Sequence, residues 1–291
     1  MTLHHVVVGV DGTPAAVRAL DLAADDAARR SAELRVVYAV PDRDEAGPIL
    51  SSAASRIRER HPGLRVVTTA AQGGAVQALA AESEGAALTV VGTRGFGGVT
   101  GTLFGSVSLR LAAQVHGPLM IVRGDHVCHG ETAGADAGEH LGTGHEVLLG
   151  LQDDTDVTAA GFAFEEAERR GVWLRVLHSW ERPHVTPEMP SLVPATSPGQ
   201  RRMAQHDRAE EAVARFSLAR LQEQHPTVGV DARTVRSGAA QALLEATREA
   251  AVVVIGSHGR AGRLGPHLGT VAHTLLHHAH CPVVLVPSAD R

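Results

Sequence analysis

The chain contains no lysine: all 27 of its basic residues are arginine. A guanidinium stays protonated and forms no Schiff base. Lysine nucleophiles, lysine bases and the lysine of a P-loop are therefore excluded. A phosphate site must then rely on backbone N–H groups, arginine or a metal ion. Aromatic residues make up only 3% of the chain, so its cores must be built of Val, Leu, Ile and Ala, as in buried parallel strands under Ala-rich helices. The same scarcity leaves no stacking platform for single-stranded nucleic acid. With a net charge of −5 and no basic stripe, nucleic acid is not an expected partner. Two cysteines, Cys128 and Cys281, lie too far apart in sequence to suggest a disulfide framework, and a reducing compartment fits. No apolar run approaches membrane-spanning length, and the chain enters an apolar strand at His5–Val10 without a signal-like segment. No membrane association and a cytoplasmic location are the expectations.

What the chain does have is a repeat. Its 291 residues, 44% of them hydrophobic, suit two domains of ordinary size. Val6–Gly12 resembles Val147–Asp153, and Leu34–Val40 resembles Leu174–Trp180. Gly74–Ala80 resembles Gly238–Leu244, and Leu88–Gly95 resembles Val252–Gly259. Pro118–Arg123 resembles Pro282–Pro287, with the order the same in both halves, as in a duplication. Leu174 follows Leu34 by 140 positions and Gly256 follows Gly92 by 164. The second half thus carries about 24 extra residues, which fall in the Pro- and Ser-rich stretch Glu181–Arg202 and read as an exposed loop. Gly124–Gly144, rich in Gly, Ala, His and acids, reads as a linker. The domains expected are 1–124 and 145–291, with the linker over 125–144.

Each half alternates short apolar runs with helix-like segments. In the first half the runs lie near 5–10, 34–40, 64–69, 87–92 and 118–123, separated by Pro14–Ser31, Ala46–Arg60, Ala75–Ser83 and Ser106–Val115. This pattern predicts an α/β fold, a parallel sheet with helices on both faces and right-handed crossovers. Ligands of such sheets bind beyond the carboxyl ends of the strands, at the topological switch point. That rule groups Asp11, Val40 and the turn after Val91 around one crevice.

After the fourth run the first half reads Gly92-Thr-Arg-Gly95, nine residues, then Gly105-Ser106. The second reads Gly256-Ser-His-Gly259, nine residues, then Gly269-Thr270. Gly92 and Gly95 would let the backbone turn and approach a ligand closely. Gly105 and Ser106 would open the next helix, where free N–H groups and the helix dipole favour an anion. Phosphate is the natural guest. A single such turn would read as plain turn chemistry; two copies at equal spacing, although related by descent, favour a ligand site.

At these residues, with the opening Val8–Gly12 (VGVDG) and the closing Pro118–Arg123, both halves resemble the universal stress protein family in its tandem, ATP-binding form. The resemblance implies Rossmann-like, doubly wound five-stranded parallel sheets of order 3-2-1-4-5, like the adenine nucleotide alpha hydrolases. It also implies that the last strands, Leu119–Val122 and Val283–Val286, pair to make an intramolecular pseudo-dimer. Carried over residue by residue, it places Gly9, Val10 and Asp11 at the adenosine, and Ala39 and Val40 in the adenine pocket. Val91, Gly92, Arg94 and Gly95 wrap the ribose and phosphates, and Gly105, Ser106, Val107 and Ser108 bind phosphate. The weaker second set is Gln152, Trp180, Ile255, Gly256, His258, Gly259, Gly269, Thr270 and Val271. Here Gln152 stands for Asp11, Trp180 for Val40, His258 for Arg94 and Ala272 for Ser108, so the nucleoside side is altered. ATP, with Mg2+ as its metal, is expected in the first half before the second.

Other candidates have bland readings. His273, His277, His278 and His280 cluster in the last helix; a solvated face is favoured over a metal site, as no acidic partner has zincin spacing. Asp125–His129 reads as linker and Cys281 as a buried thiol. Asp25, Asp26, Glu165, Glu166 and Glu168 read as solvated helix faces. Three functions stay open: a nucleotide-binding stress-response regulator, a slow nucleotide hydrolase or transferase, and a nucleotide-free scaffold for a protein partner. No catalytic residue is assigned, and pairing of two such chains into a homodimer is left open.

Overall fold

The computed structural model describes residues 5–40, 46–93, 106–123, 146–151, 156–179, 218–235, 238–257, 260–262 and 265–288. Strands β1 (His5–Gly9), β2 (Glu33–Val40), β3 (Val66–Gln72), β4 (Leu88–Gly92) and β5 (Leu119–Val122) alternate with helices α1 (Pro14–Arg29), α2 (Gly47–Arg60), α3 (Ala75–Glu82) and α4 (Ser106–Ala112). The second half repeats the plan with β6 (Glu146–Leu151), α5 (Val157–Arg170), β7 (Leu174–Ser179), helical residues 218–224 (α6), β8 (Val230–Val235), α7 (Ala239–Ala246), β9 (Ala250–Ser257), α8 (Thr270–His278) and β12 (Val283–Pro287). A short hairpin, β10 (Arg260–Gly262) and β11 (Gly265–His267), lies within the nine-residue gap of the second glycine motif. The sequence pattern gave no hint of this hairpin. The third strand also starts and ends later than the apolar run at 64–69 suggested, because its partner Glu33–Val40 pairs in register from Leu34↔Val66 to Val40↔Gln72.

All ten long strands form one sheet of order β3-β2-β1-β4-β5-β12-β9-β6-β7-β8. Each half therefore has the order 3-2-1-4-5. Within this sheet every pairing inside a half is parallel, while β5 and β12 meet antiparallel with Val283↔Ile121, Val284↔Met120 and Leu285↔Leu119. Met120 and Val284 are equivalent positions of the repeat, so a pseudo-two-fold axis passes through their pairing. The expected pseudo-dimer is thus present. Unlike the edge strands β3 and β8, which are half-buried or exposed, the inner strands are buried on both faces, Val6, Val7, Val8, Val252, Val253 and Val254 all at 0% exposure. This explains their continuous apolar runs. Alanines carry much of the helix packing: Ala19, Ala23 and Ala27 of α1 and Ala163 and Ala167 of α5 are buried. Small side chains let helices lie close on a sheet that offers few aromatics to fill gaps.

The carboxylates expected on solvated faces divide. The side chains of Asp25, Glu165 and Glu168 are 39%, 53% and 44% exposed. Asp26 and Glu166 are buried at 0% and 1%, which corrects the reading for these two. They are equivalent residues of α1 and α5, the helices that flank the join between the halves. Arg30 links them: its Nε donates to Asp26 Oδ2 and its Nη2 to Glu166 Oε2 at 2.9 Å. Glu166 also accepts from Arg170 Nε at 2.6 Å and Arg169 Nη2 at 3.3 Å. The guanidinium of Arg30 further lies 5.3 Å above the Phe162 ring. Buried charge is tolerable only when paired in this way. On the opposite sheet face, Arg123 at the end of β5 donates to the carbonyl of His277 in α8.

Candidate functional site

The switch point of the first half lies between β1 and β4, which pair Val6↔Leu88 to Val8↔Val90 while the chain turns away from β1 towards β2. Immediately beyond β1, Val10 still donates to Val37 of β2 at 2.9 Å, so Asp11 is fixed by the sheet. Gly12 then takes φ of 79°, the left-handed region that favours glycine, and the chain enters α1. Thr13 is the N-cap: its hydroxyl oxygen accepts from Ala16 N at 3.3 Å, with Pro14 in the first turn. Asp11 is bound to this cap. Its Oδ1 accepts from Thr13 N at 3.0 Å and from Thr13 Oγ1 at 2.6 Å.

The end of β4 lies against the same helix. A Cβ on Gly92 would sit 2.9 Å from the backbone carbon of Ala15, closer than such atoms come. Among the described residues, then, the missing side chain of Gly92 serves the packing of β4 on the first turn of α1. Its φ is not in the left-handed region. Thr93 continues the strand by donating to Val122 O at 2.9 Å. Ser108, expected at phosphate, is 1% exposed, and its hydroxyl donates to Gly92 O at 2.9 Å. In this arrangement it ties α4 to the end of β4, and its proton is committed there. Val10, Val40 and Val91 are buried, and Gly9, Ala39 and Val107 are half-buried. The structure thus brings Gly9, Val10, Asp11, Ala39, Val40, Val91 and Gly92 to the carboxyl edge of the sheet. Ser106 is the first residue of α4. Arg94, Gly95 and Gly105 lie outside the described residues.

In the second half Ile255 and Gly256 lie just before the end of β9 at Ser257, and Gly269, Thr270 and Val271 open α8. Gly269 is the N-cap, in extended conformation with φ of −61°, and nothing lies within 4 Å of a Cβ placed there. Gln152, Trp180, His258 and Gly259 lie outside the described residues, as do Cys128, the linker and the stretch Glu181–Arg202. Burial pushes the Cys281 thiol up to about 12, in keeping with an inert buried cysteine. His273, His278 and His280 are exposed, and the rings of His273 and His277 lie 4.3 Å apart between centroids. Partial burial, then the neighbouring His273, His278 and Arg123, lower the pKa of His277. Among the described residues no three His, Cys, Asp or Glu side chains group to hold a metal, and no helix is long and apolar enough to cross a membrane.

This duplicated chain, whose sequence carries a glycine motif after the fourth strand of each half, matches the family model for the universal stress protein family over residues 2–123 and again over 145–287. The chain belongs to the universal stress protein family. Two universal stress proteins of Mycobacterium tuberculosis strain H37Rv are similar to it, one 32% identical over 96% of this chain and 94% of its own, the other 30% identical over 96% and 95%. Among solved structures, a universal stress protein of Archaeoglobus fulgidus superposes with a TM-score of 0.65 at 15% identity, covering 99% of both chains. One from Pseudomonas aeruginosa gives 0.64 at 16%, covering 99% of this chain and 95% of its own. At these identities the superpositions speak for the fold alone. They extend over both halves, so the tandem arrangement is itself a shared architecture.

Proposed function

We propose that this universal stress protein binds an adenine nucleotide, ATP with Mg2+, in the crevice of its first half, and serves in the cytoplasm as a nucleotide-responsive regulator. The observation that carries this reading is the Asp11 carboxylate, held on the Thr13 cap of α1 at the switch point where doubly wound sheets take their ligands. Asp11 is an acceptor beside a helix start, suited to the donor hydroxyls of a ribose. Arg94, the backbone of Gly95 and Gly105, and the hydroxyl of Ser106 follow in the sequence positions that would meet the phosphates. With no lysine in the chain, the phosphate charge falls to Arg94 and the metal ion. Two binding readings compete, one site per chain or two. The replacement of Asp11 by Gln152 in the repeat favours one.

The experiment is to purify the chain, extract it and count adenine nucleotide by mass analysis, with calorimetry of ATP–Mg2+ on the emptied protein. About one nucleotide per chain is expected. Gly105→Val should abolish it by setting a β-branched side chain where the phosphates lie. No bound nucleotide and no heat would overturn the reading in favour of a nucleotide-free scaffold. Sustained turnover lost in Asp11→Ala would instead make the protein a slow hydrolase.

A further inference from the structure

We infer that Thr13 is a positioning residue that aims the Asp11 carboxylate at the sugar of the bound nucleotide and so sets a preference for ribose over deoxyribose. This rests on the nucleotide reading above. Thr13 does two things at once. Its hydroxyl oxygen accepts from Ala16 N as the cap of α1, and the same hydroxyl donates to Asp11 Oδ1 at 2.6 Å. The Thr13 backbone N–H donates to that oxygen as well, at 3.0 Å. Two donors from one residue fix the carboxylate plane, and a hydroxyl-to-carboxylate bond this short is of the strong, charge-assisted kind.

The consequence lies in what is left over. Oδ1 is engaged twice, and among the described residues nothing donates to Oδ2. Oδ2 is therefore the oxygen offered to a ligand. A carboxylate only accepts, so its ligand partner must be a donor. On a nucleotide bound at this edge the neutral donors are the sugar hydroxyls and the exocyclic amine of the base. Asp11 follows the end of β1 on the turn into α1, at the helix start where the proposed function sets the ribose, so the sugar hydroxyls are its partner. A site built to pair with a hydroxyl discriminates strongly against an analogue that lacks it. Discrimination requires the carboxylate to be held, and the hydroxyl of Thr13 is what holds it.

The test compares calorimetric affinities for ATP, 2′-deoxy-ATP and 3′-deoxy-ATP, each with Mg2+, in the wild type, Thr13→Val, Thr13→Ser and Thr13→Gly. The wild type should bind ATP at least tenfold more tightly than one of the deoxy analogues. Thr13→Val should lose about tenfold for ATP and less than twofold for that analogue, so that the preference collapses; Thr13→Ser should restore it. Should Thr13→Val fail to fold for want of a cap, Thr13→Gly, a residue tolerated at the N-cap that has no side-chain donor, must show the same collapse. A merely structural role would weaken all three nucleotides alike, and an unchanged ratio overturns the inference. So does a wild type that binds ATP without preferring it to either analogue. A wild type that binds no nucleotide fails the proposed function instead, which keeps the two failures apart.

Discussion

At Gly9 and Gly150 the two halves make the same contact. A Cβ on Gly9 would meet the Leu79 side chain at 3.0 Å and Val91 at 3.5 Å; on Gly150 it would meet Leu243 at 2.9 Å and Ile255 at 3.0 Å. These are equivalent residues of the repeat. The register of β1 on β4 recurs for β6 on β9, and Asp26 and Glu166 occupy matching places beside the axis. At the carboxyl edge the agreement ends. α1 starts from a Thr13 cap that also holds Asp11, whereas α5 starts at Val157, and Asp156 makes no side-chain cap bond. Packing contacts fix the shape of both halves, and that shape places few demands on the residues at the strand tips. The tips are therefore where the two halves are free to differ.

The seam offers the largest test of this equivalence, because matching positions there carry unequal loads. Glu166 accepts from three guanidinium groups, whereas Asp26 accepts from Arg30 and its Oδ1 has no hydrogen-bond partner among the described residues. Glu166→Ala leaves Arg30 and Arg170 without their shared carboxylate in a buried place, a change that costs about 3–5 kcal/mol. Asp26→Ala leaves Arg30 still paired to Glu166 and should cost less than half as much. Urea unfolding of the two variants measures both. Equal losses would mean that the seam is symmetric in energy as well as in position.

A second comparison concerns glycines that look alike in sequence. The Cβ of Gly92→Ala would press on the backbone of α1, which cannot move without the helix; overpacking of that kind costs about 1–3 kcal/mol. The Cβ of Gly150→Ala would press on the end of the Leu243 side chain, which can turn aside. Thermal unfolding should show Gly92→Ala as the more damaging change. The reverse order would show that the contact of Gly92 on α1 yields more easily than that of Gly150 on Leu243.

Much of this architecture was legible in the residues. The runs Leu119–Val122 and Val283–Val286, apolar throughout and last in each half, announce strands buried on both faces, and resemblance to a known family supplied their pairing. The buried seam was missed because adjacent acids, Asp25-Asp26 and Glu165-Glu166, look like solvated helix surface. The signal was there in the phase. Asp26 follows Ala19 and Ala23 on the apolar stripe of α1, as Glu166 follows Ala159 and Ala163 on that of α5, and Arg30 and Arg170 continue each stripe one turn on. Charges placed on the core face at equivalent positions of a repeat must neutralise one another across its axis. The packing role of Gly92 was not legible, since a glycine at a strand end serves a close helix and a close ligand with the same letter. Nor was the commitment of the Ser108 hydroxyl, which depends on the angle at which α4 meets β4.

The smallest effect expected is a difference in slope with pH, and it separates the two carboxylates most directly. Burial works to raise the pKa of Glu166, but Arg170, Arg30 and Arg169 outweigh it and hold the group at about 2, against an ordinary value of 4.5. Its contribution to stability is present above pH 4.5 and is lost as pH falls towards 2. Asp26 is shifted the other way. Burial and then the charge of Glu166 raise it, against the pull of Arg30 and Arg170. The folded state therefore favours protonated Asp26, and stability declines as pH rises from the ordinary value of 3.8 through the raised one. The groups facing this pair are Asp25, Arg29 and Arg30 from α1 and Arg169 and Arg170 from α5. Urea midpoints measured from pH 2.5 to 8 should thus peak in the mildly acidic range. Asp26→Asn should flatten the decline above pH 4 and leave the acid limb intact; Glu166→Gln should lower stability throughout and remove the acid limb's steepness. An Asp26→Asn curve parallel to that of the wild type above pH 4 would show that Asp26 is charged at the seam like its counterpart, and the two carboxylates would then be equivalent in chemistry as well as in place.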